Sequence, residues 1–404
     1  MKIFRLSILV AAMLPLYGMA ASPQQGTVAQ ENVTDAATKA AYKVVAYYLP
    51  SERRYSAADI DPARLTHLNY AFAVIKNGEV VIDLAPGPRQ GVTDFVVLRG
   101  LKSRNPQLKT LISVGGWAGS KEFSDVALTP QSREKFAASA LRFIREHGFD
   151  GVDIDWEFPV AGGDAGNIMR PEDKQNYTLL LQALRDKLDS GAKRDGHRYL
   201  LTAAIGNNQG FFQNTEMAKV AAILDWANIM TYDFSGPWSK FAGHVAPLYN
   251  DPAIARPDAN EKFNVSSTVE MALQAGIPAK KMVLGMPFYG YSWKQCGAAQ
   301  HGQHQDCDGK GRGSVEEGEL DFADIDGKLV NQNGFTRYWN DSAKVPYLFN
   351  PQSGEFVSYD DVQSLDYKIA YLKKMGLAGA MFWQLSADRN GVLLDKVAQE
   401  LLPR

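Results

Sequence analysis

The chain has 404 residues, of which 45% are hydrophobic, and its 43 basic and 45 acidic residues give a formal net charge of −2. This length is enough to bury a large core, as one large domain or as two. A charge so close to neutral gives no electrostatic support for a nucleic-acid partner or for binding to an acidic membrane surface.

Residues 1–20 have the pattern of a secretory signal peptide. Positive charge in the first five residues precedes an apolar run from Leu6 to Leu16, and the small-residue cleavage site Gly18-Met19-Ala20 follows. The run is too short for a stable membrane anchor, so an uncleaved anchor is the weaker alternative. Residues 21–41, rich in Ala, Gln, Thr and Asn, predict a flexible leader. We therefore expect a secreted or periplasmic protein.

Short apolar segments alternate with amphipathic segments along residues 42–404. The apolar segments predict eight strands, at Val44–Leu49, His67–Val74, Thr110–Gly115, Gly151–Glu157, Tyr199–Ile205, Trp226–Asp233, Met282–Tyr289 and Gly379–Leu385. The amphipathic segments predict helices at Gly91–Ser103, Gln131–His147, Glu172–Ser190, Thr215–Leu224, Val265–Ala275, Asp361–Met375 and Val392–Leu402. Continuous apolar strands are typical of a parallel sheet that is buried on both faces. The alternation predicts an α/β fold, a (β/α)₈ TIM barrel.

One interval departs from this alternation. Residues 291–360, between the seventh strand and the seventh helix, are rich in Gly, Asp, Tyr and Phe and contain strand-like pieces at Gly334–Trp339 and Val345–Phe349. They predict a small α+β insertion subdomain on the rim of the barrel. A long disordered loop is the alternative, which the aromatic content disfavours.

The two cysteines, Cys296 and Cys307, both lie in this insertion. Export favours a disulfide between them. A zinc site that also uses His301 and His304 is the alternative, although its spacing matches no standard finger. The sequence otherwise requires no metal and no cofactor.

The most informative stretch is Asp150-Gly151-Val152-Asp153-Ile154-Asp155-Trp156-Glu157. On a strand, Asp153, Asp155 and Glu157 would share one face at intervals of roughly 6.6–7 Å. Repulsion between like charges and desolvation both favour the protonated form, so at least one acid should stay protonated near neutral pH. A protonated carboxyl at the end of such a row is what a general acid requires, and Glu157 is the candidate.

Two other interpretations of this stretch are a solvated surface turn and a calcium loop. The apolar residue at every alternate position argues against the turn. The calcium loop is disfavoured because Phe158 occupies the position of its turn glycine.

In a barrel, functional groups collect at the carboxyl ends of the strands. Aromatic residues recur at these predicted ends, namely Tyr47, Tyr48, Phe72, Trp117, Tyr232, Phe288, Tyr289 and Trp383. One aromatic residue is more often core than ligand contact. Together at one mouth they would form a groove of flat apolar faces with a few polar groups, which suits sugar rings.

With these residues in view, the chain resembles the chitinases of glycoside hydrolase family 18 over roughly residues 43 to 400. The motif D-G-V-D-I-D-W-E at 150–157 matches the acidic signature of the family, and S-V-G-G at 113–116 matches its second signature. Three further segments match in the expected order, M-T-Y-D at 230–233, G-M-P-F-Y-G at 285–290 and M-F-W at 381–383.

The resemblance implies a retaining, substrate-assisted mechanism, in which the acetamido oxygen of the substrate acts as nucleophile. It implies that Glu157 is the general acid and base, that Asp155 orients the acetamido group, that Asp153 shares a proton with Asp155, and that Tyr232 donates to the acetamido oxygen. By the same resemblance Tyr47 and Ser113 support Asp153. The substrate-binding residues that it implies are Tyr47, Phe72, Ser113, Gly116, Trp117, Met230, Asp233, Trp238, Tyr289 and Trp383.

The chain departs from the family pattern at two positions. Tyr291 stands where many members have an arginine, and we expect Arg337 in the insertion to compensate for it. Phe158 replaces a frequent tyrosine after the catalytic acid, which removes a hydrogen-bonding group there.

Three functions remain in competition. A chitinase acting on chitin or chitooligosaccharides is favoured by the acidic motif and by the long, walled groove that the insertion would make. An endo-β-N-acetylglucosaminidase acting on glycoprotein or peptidoglycan glycans shares the same acid. A non-catalytic chitin-binding lectin on the same barrel is disfavoured because Glu157 is present.

Overall fold

The computed structural model describes residues 42–50, 55–82, 91–254, 256 and 259–403. The predicted signal peptide (1–20) and leader (21–41) lie outside the described residues. Within the described ranges, no helix combines the length and the apolar character needed to cross a bilayer.

In chain order the strands are β1 (Lys43–Tyr48), β2 (His67–Lys76), β3 (Glu79–Val81), β4 (Lys109–Gly115), β5 (Gly151–Asp155), β6 (Leu200–Ile205), β7 (Trp226–Ile229), β8 (Met282–Pro287), β9 (Tyr289–Trp293), β10 (Glu319–Asp321), β11 (Thr336–Asn340), β12 (Val345–Asn350), β13 (Glu355–Ser358) and β14 (Gly379–Trp383). The helices are α1 (Gly91–Arg104), α2 (Phe123–Leu128), α3 (Pro130–His147), α4 (Asp173–Asp195), α5 (Gln209–Gln213), α6 (Met217–Ile223), α7 (Val265–Gln274), α8 (Phe322–Lys328), α9 (Val362–Met375) and α10 (Val392–Leu401).

Eight parallel strands close into a barrel in the order β1, β2, β4, β5, β6, β7, β8 and β14, because β1 pairs with both β14 and β2. The larger apolar core lies between this barrel and its helices. A smaller cluster, which includes Val45, Trp226, Val283 and Met381, fills the barrel interior. The predicted (β/α)₈ barrel is confirmed.

Four barrel strands end two or more residues earlier than the apolar pattern predicts. β5 ends at Asp155 rather than Glu157, β7 at Ile229 rather than Asp233, β8 at Pro287 rather than Tyr289, and β14 at Trp383 rather than Leu385. β1 ends one residue early, at Tyr48 rather than Leu49. The reason is visible after β7, where the backbone N–H of Tyr232 bonds to the carbonyl of Met230 and closes a tight turn. Most residues directly after these strands, such as Trp156, Tyr232 and Phe288, are still buried, so the apolar sequence pattern continues beyond the last residue that pairs with a neighbouring strand.

The insertion between β8 and α9 contains a five-stranded antiparallel sheet in the order β10, β9, β13, β12 and β11, with α8 beside it. Its own apolar cluster is built around Trp293, Tyr347, Phe349 and Phe356.

Cys296 and Cys307 are joined by a disulfide whose Cα atoms lie 4.0 Å apart. The alternative zinc site is wrong, because His301 stacks on Tyr338 and Nε2 of His304 bonds to Asp251.

Candidate active site

The lower end of the acidic row is Asp153, on β5, whose carboxylate is fully buried and surrounded by donors. The hydroxyls of Tyr47 and Ser113 donate to one oxygen, Oδ2, at 2.7 and 2.8 Å. The hydroxyl of Thr202 and the amide of Asn228 donate to the other oxygen. Strand register explains the set, because Ser113 on β4 and Thr202 on β6 stand directly beside Asp153. Four donors on one buried carboxylate stabilise its charge.

Asp155, two residues further along β5, has a contrasting environment. The residue is 4% exposed, and its Oδ1 has no hydrogen-bond partner among the residues that the structure describes. Burial, followed by the charges of Glu157 and Asp153, raises the pKa of Asp155 well above its ordinary value. Burial also raises the pKa of Asp153, but the donors from Thr202, Tyr47, Ser113 and Asn228 oppose that effect. The described residues therefore donate hydrogen bonds to both carboxylate oxygens of Asp153 but not to Oδ1 of Asp155.

Glu157 ends the row beyond the last residue of β5. Its backbone N–H donates to the hydroxyl of Ser120 at 2.8 Å, and its carbonyl accepts from the amide of Asn167 at 2.6 Å. Burial, followed by the charge of Asp233, raises the pKa of Glu157 to about 8. The carboxyl is therefore largely protonated at neutral pH while its main chain is fixed on both sides.

Two glycines at the end of β4 allow this close packing. Gly115 and Gly116 have φ angles of 113° and 77°, in the region that favours glycine. A Cβ on Gly115 would lie 2.1 Å from the carbonyl oxygen of Asp155, and a Cβ on Gly116 would lie 2.6 Å from the ring of Phe72. The S-V-G-G signature thus provides clearance for the acidic row and for the ring of Phe72.

The turn after β7 brings a second polar group to Glu157. Asp233 has a φ of 59°, which is uncommon for a residue with a side chain and marks local strain. The hydroxyls of Tyr289 and Tyr291 both bond to its carboxylate. Tyr232, in the same turn, is buried, and its ring lies 6.2 Å from that of Tyr289. Asp233 is thereby fixed where its charge acts on Glu157.

Aromatic side chains surround the row. Trp383, at the end of β14, is stacked on Phe72 with ring centroids 5.6 Å apart and lies 5.9 Å from the ring of Tyr47. Trp117 and Trp238 are 54% and 64% exposed, which is unusual for tryptophan, so both rings are accessible to a ligand. The stacked pair of Trp383 and Phe72 and the two exposed tryptophans offer flat apolar faces of the kind on which sugar rings stack.

Several predicted site residues are enclosed. Tyr47 and Ser113 are buried in the barrel, and their hydroxyls donate to Asp153, which places them in the support of the acidic row. Gly116 is also buried, and Met230 is partly buried. The guanidinium of Arg337 bonds to Asp361 and Gln363, and its compensation for Tyr291 stays a prediction. Tyr291 itself occupies the place beside Asp233.

Four residues that hold the acidic row were missed by the sequence analysis. Thr202 and Asn228 are polar residues at inward positions of otherwise apolar strands, and this break in pattern could have identified them. Ser120 and Asn167 lie on loops, and their contacts with the main chain of Glu157 leave no pattern in the sequence.

Comparison with known proteins shows the family of the chain. The family model "Glycosyl hydrolases family 18" matches residues 43–388. Chitinase A1 of Niallia circulans is 48% identical over 89% of this chain, and the chain spans 58% of the length of that relative. The solved structure of chitinase ChiA74 from Bacillus thuringiensis superposes with a TM-score of 0.84 at 40% identity, covering 89% of this chain and 70% of that one. A family 18 N-acetylglucosaminidase from Paenibacillus barengoltzii has a TM-score of 0.78 at 36% identity, covering 89% of this chain and 100% of that one. The chain belongs to family 18 of the glycosyl hydrolases.

Proposed function

We propose that this protein is a chitinase, which hydrolyses β-1,4 linkages between N-acetylglucosamine units of chitin or chitooligosaccharides. The observation that carries the proposal is the position of Glu157, which follows two buried aspartates and whose main chain is held by Ser120 and Asn167. Burial, followed by the charge of Asp233, raises the pKa of its carboxyl to about 8. A carboxyl protonated at neutral pH can donate a proton to a glycosidic oxygen. The named chitinases among its relatives support the choice of substrate.

The proposed reaction is retaining and substrate-assisted, with one protein carboxyl and no protein nucleophile. Glu157 donates its proton to the glycosidic oxygen, and the bond from that oxygen to the anomeric carbon breaks. The acetamido oxygen of the same sugar attacks the anomeric carbon and forms an oxazolinium ion. Glu157, now a carboxylate, takes a proton from a water molecule, and the oxygen of that water attacks the anomeric carbon. The bond from this carbon to the acetamido oxygen breaks, so the oxazolinium ring opens and the anomeric carbon regains its original configuration.

Asp155 has the position and the free acceptor for the second role. Its unpaired Oδ1 is buried, and an acceptor without a partner in such a place costs about 1–3 kcal/mol. We propose that the acetamido N–H of the substrate donates to it, which orients the attacking oxygen and places negative charge beside the oxazolinium ion. In this scheme Tyr232 donates to the acetamido oxygen, and Asp153 exchanges a proton with Asp155.

The remaining sugar contacts follow from the aromatic geometry. We propose that Trp383 forms the floor under the distorted sugar, with Phe72 and Met230 beside it, and that Asp233 contacts that sugar on its polar edge. Trp117 and Trp238 would stack on the sugars beyond the cleaved bond, and Tyr289 would line the pocket.

Two other functions, a lectin and an endo-β-N-acetylglucosaminidase, fit the site less well. A lectin needs no proton donor, so it gives no reason for a carboxyl with a raised pKa whose main chain is fixed by Ser120 and Asn167. An endo-β-N-acetylglucosaminidase could use the same acids. The structural similarity to an N-acetylglucosaminidase supports glycans as the second candidate class of substrate. The two exposed tryptophans and the insertion favour a linear polymer.

Secretion or export to the periplasm is part of the proposal. The disulfide Cys296–Cys307 supports it, because disulfides persist in oxidising compartments.

The test uses wild-type protein and chitin hexamer, with the anomeric form of the products followed from the first minutes. We expect β-anomers as initial products and no cleavage of a fully deacetylated hexamer, because that chain lacks the nucleophile. Initial α-anomers, or equal cleavage of the deacetylated chain, would contradict the mechanism. Cleavage of glycoprotein glycans but not of chitin would support the alternative substrate class.

A further inference from the structure

The loop that follows Glu157, residues 158–172, returns to the acid from which it starts. The side-chain amide of Asn167 donates to the carbonyl of Glu157 at 2.6 Å. Gly163 lies against the same oxygen, where a Cβ would stand 1.9 Å from it, and its φ of 78° is in the region that favours glycine. The position of the acid therefore depends on the conformation of this loop.

The loop contains a strained residue between Glu157 and Asn167. Val160 has a φ of 71°, which a β-branched residue rarely adopts. Backbone strain of this kind persists only where the surrounding contacts hold it. If the far end of the loop were released, relaxation at Val160 would move Asn167 away from the carbonyl of Glu157. An anchor beyond Asn167 is therefore needed to hold the acid.

Arg170 anchors the loop to two helices. Its Nη1 donates to the hydroxyl of Ser124 and its Nη2 donates to the carboxylate of Asp125, both on α2 and both at 2.7 Å. Its backbone N–H donates at 2.7 Å to Asp173, the first residue of α4. Ser124 also donates to the other oxygen of Asp173 at 2.7 Å, and these two residues are fully buried. The planar guanidinium thus fixes α2 and the end of the loop in one geometry.

These contacts complete a closed path around the acid. The N–H of Glu157 donates to Ser120, which lies four residues before Ser124. Arg170 crosses from Ser124 to the 158–172 loop, and Asn167, three residues earlier, returns to the carbonyl of Glu157. Arg170 closes this path, so it can act on the acid without touching it.

A further bond joins the same two segments, but it is weaker. The N–H of Ile168 donates to the carbonyl of Lys121 at 3.3 Å, which is long for a hydrogen bond of this type. The bonds from the guanidinium of Arg170 are shorter and have a charged donor, which makes them roughly twice as strong as a bond between neutral groups. Arg170 therefore carries most of the anchoring.

We propose that Arg170 is a positioning residue for the acid Glu157 and that it acts through Asn167. This inference rests on the proposed function, since that function assigns the proton transfer to Glu157. When the anchor is removed, the strain at Val160 relaxes and Asn167 leaves the carbonyl of Glu157. The carboxyl then spends less time in the orientation from which it can protonate the glycosidic oxygen.

The kinetic test is Arg170→Gln, which removes the charge and the two side-chain bonds. We expect kcat for chitin hexamer to fall by roughly three- to tenfold with little change in KM. A misplacement of about 1 Å can cost roughly 100-fold, but Ser120 still holds the N–H of Glu157, so the loss should be smaller. Arg170→Lys keeps the charge and can bond one partner at a time, so it should recover part of the loss.

The matched control is Arg145→Gln on α3. The guanidinium of Arg145 makes two bonds to Asp195 and its side chain is 35% exposed, against 30% for Arg170, but it lies outside the path around the acid. This variant should keep the kcat of the wild-type protein. An equal fall of kcat in both variants would overturn the proposal. Should Arg170→Gln fail to fold, Arg170→Lys takes its place in the same comparison, with a smaller expected fall in kcat.

A double-mutant cycle tests the route through Asn167. Asn167→Ala removes the amide that holds the carbonyl of Glu157, so adding Arg170→Gln to it should lower kcat no further than about twofold. Residues that act through one contact are not additive in this way, whereas independent residues are. Losses that multiply in the double variant would contradict the route.

A crystal structure of Arg170→Gln does not depend on turnover. We expect the amide of Asn167 to lie beyond hydrogen-bond distance from the carbonyl of Glu157, and an unchanged bond would contradict the proposal. If wild-type protein fails to cleave chitin hexamer, the proposed function fails while the crystal structure still tests the anchor. If wild-type protein and Arg170→Gln cleave the hexamer with equal kcat, the positioning role alone fails.

Discussion

The two ends of the acidic row differ in how completely the protein satisfies them. Asp153 lies inside the barrel and accepts from four side chains on four different strands. Glu157 lies past the end of β5, and the hydrogen bonds that hold it go to its main chain. The barrel thus stabilises the charge of one acid and leaves the carboxyl of the other free to react. We expect substitutions near Asp153 to change stability and those near Glu157 to change turnover.

The largest expected effect is at the reactive end. Glu157→Gln removes the proton donor without changing the size of the side chain, so turnover of chitin hexamer should fall by roughly 10²–10⁴-fold, the range of general acid catalysis. Binding of the hexamer, measured by calorimetry, should stay within a few fold. Glu172→Gln, in the exposed segment before α4, is the control and should retain activity. Near-normal turnover in Glu157→Gln would reject the assignment.

Thr202→Val tests the hydrogen bonding of Asp153, at the other end of the row. It removes one donor from a fully buried carboxylate, so the free energy of unfolding should fall by about 1–3 kcal/mol. The hydrogen bond from Thr202 lowers the pKa of Asp153, so its loss raises that pKa further. The raised pKa penalises the ionised form, and the stability loss should therefore be larger near neutral pH than in acid.

The control for Thr202→Val is Thr178→Val on α4, where the hydroxyl donates to Glu216 in a partly buried pair. Urea unfolding of both variants at two pH values gives the comparison. An equal loss of unfolding free energy in the two variants would show that the hydrogen bond from Thr202 to Asp153 contributes no more to stability than the one from Thr178 to Glu216.

Ser120 connects the main chains of Glu157 and Asp155, since its hydroxyl accepts from the N–H of Glu157 and donates to the carbonyls of Gly116 and Asp155. Ser120→Ala should lower kcat by up to roughly tenfold, about 1.4 kcal/mol, with little change in KM, because the acid is less well oriented. Ser139 is a matched buried serine that accepts from the N–H of Val80 far from the row. If Ser139→Ala lowers kcat as much as Ser120→Ala, the orienting role is wrong.

The smallest expected effect concerns pH. Glu157 has to be protonated to act as an acid, so kcat/KM should fall as the pH rises through about 8. Asp233→Asn removes the negative charge that adds to the effect of burial, so this alkaline limb should move to lower pH. It should remain above 4.5, because burial is the larger cause. Asp308→Asn, at an exposed position in the insertion, should leave the limb in place.

The barrel was predictable because its strands are buried on both faces and its helices have one apolar face. The ends of β5, β7 and β8 were not, because Glu157 and Tyr232 are enclosed like strand residues although they make no ladder bonds. The members of the acidic row were predictable from their alternation with apolar residues. Their unequal environments were not, because Asn228 and Ser120 reach the row through pairings distant in sequence.

The buried hydrogen-bond network around Asp251 was not predictable from the sequence for a related reason. It joins Asp251 to Gln303, His304 and Asn340, which lie far along the chain and follow no periodic pattern. His304 was considered only as a zinc ligand, because composition shows which groups are near in sequence and not which face each other. Long-range polar networks of this kind need coordinates.

The clearance at Gly115 and Gly116 has a consequence for redesign of the cleft. A methyl group at either position would collide with the main chain of Asp155 or with the ring of Phe72, so these two sites offer no room for tuning specificity. Trp117 and Trp238, whose rings stand in solvent, can be exchanged without disturbing the barrel. Directed evolution towards other polymers should therefore find its beneficial changes on the walls of the groove and almost none on its floor.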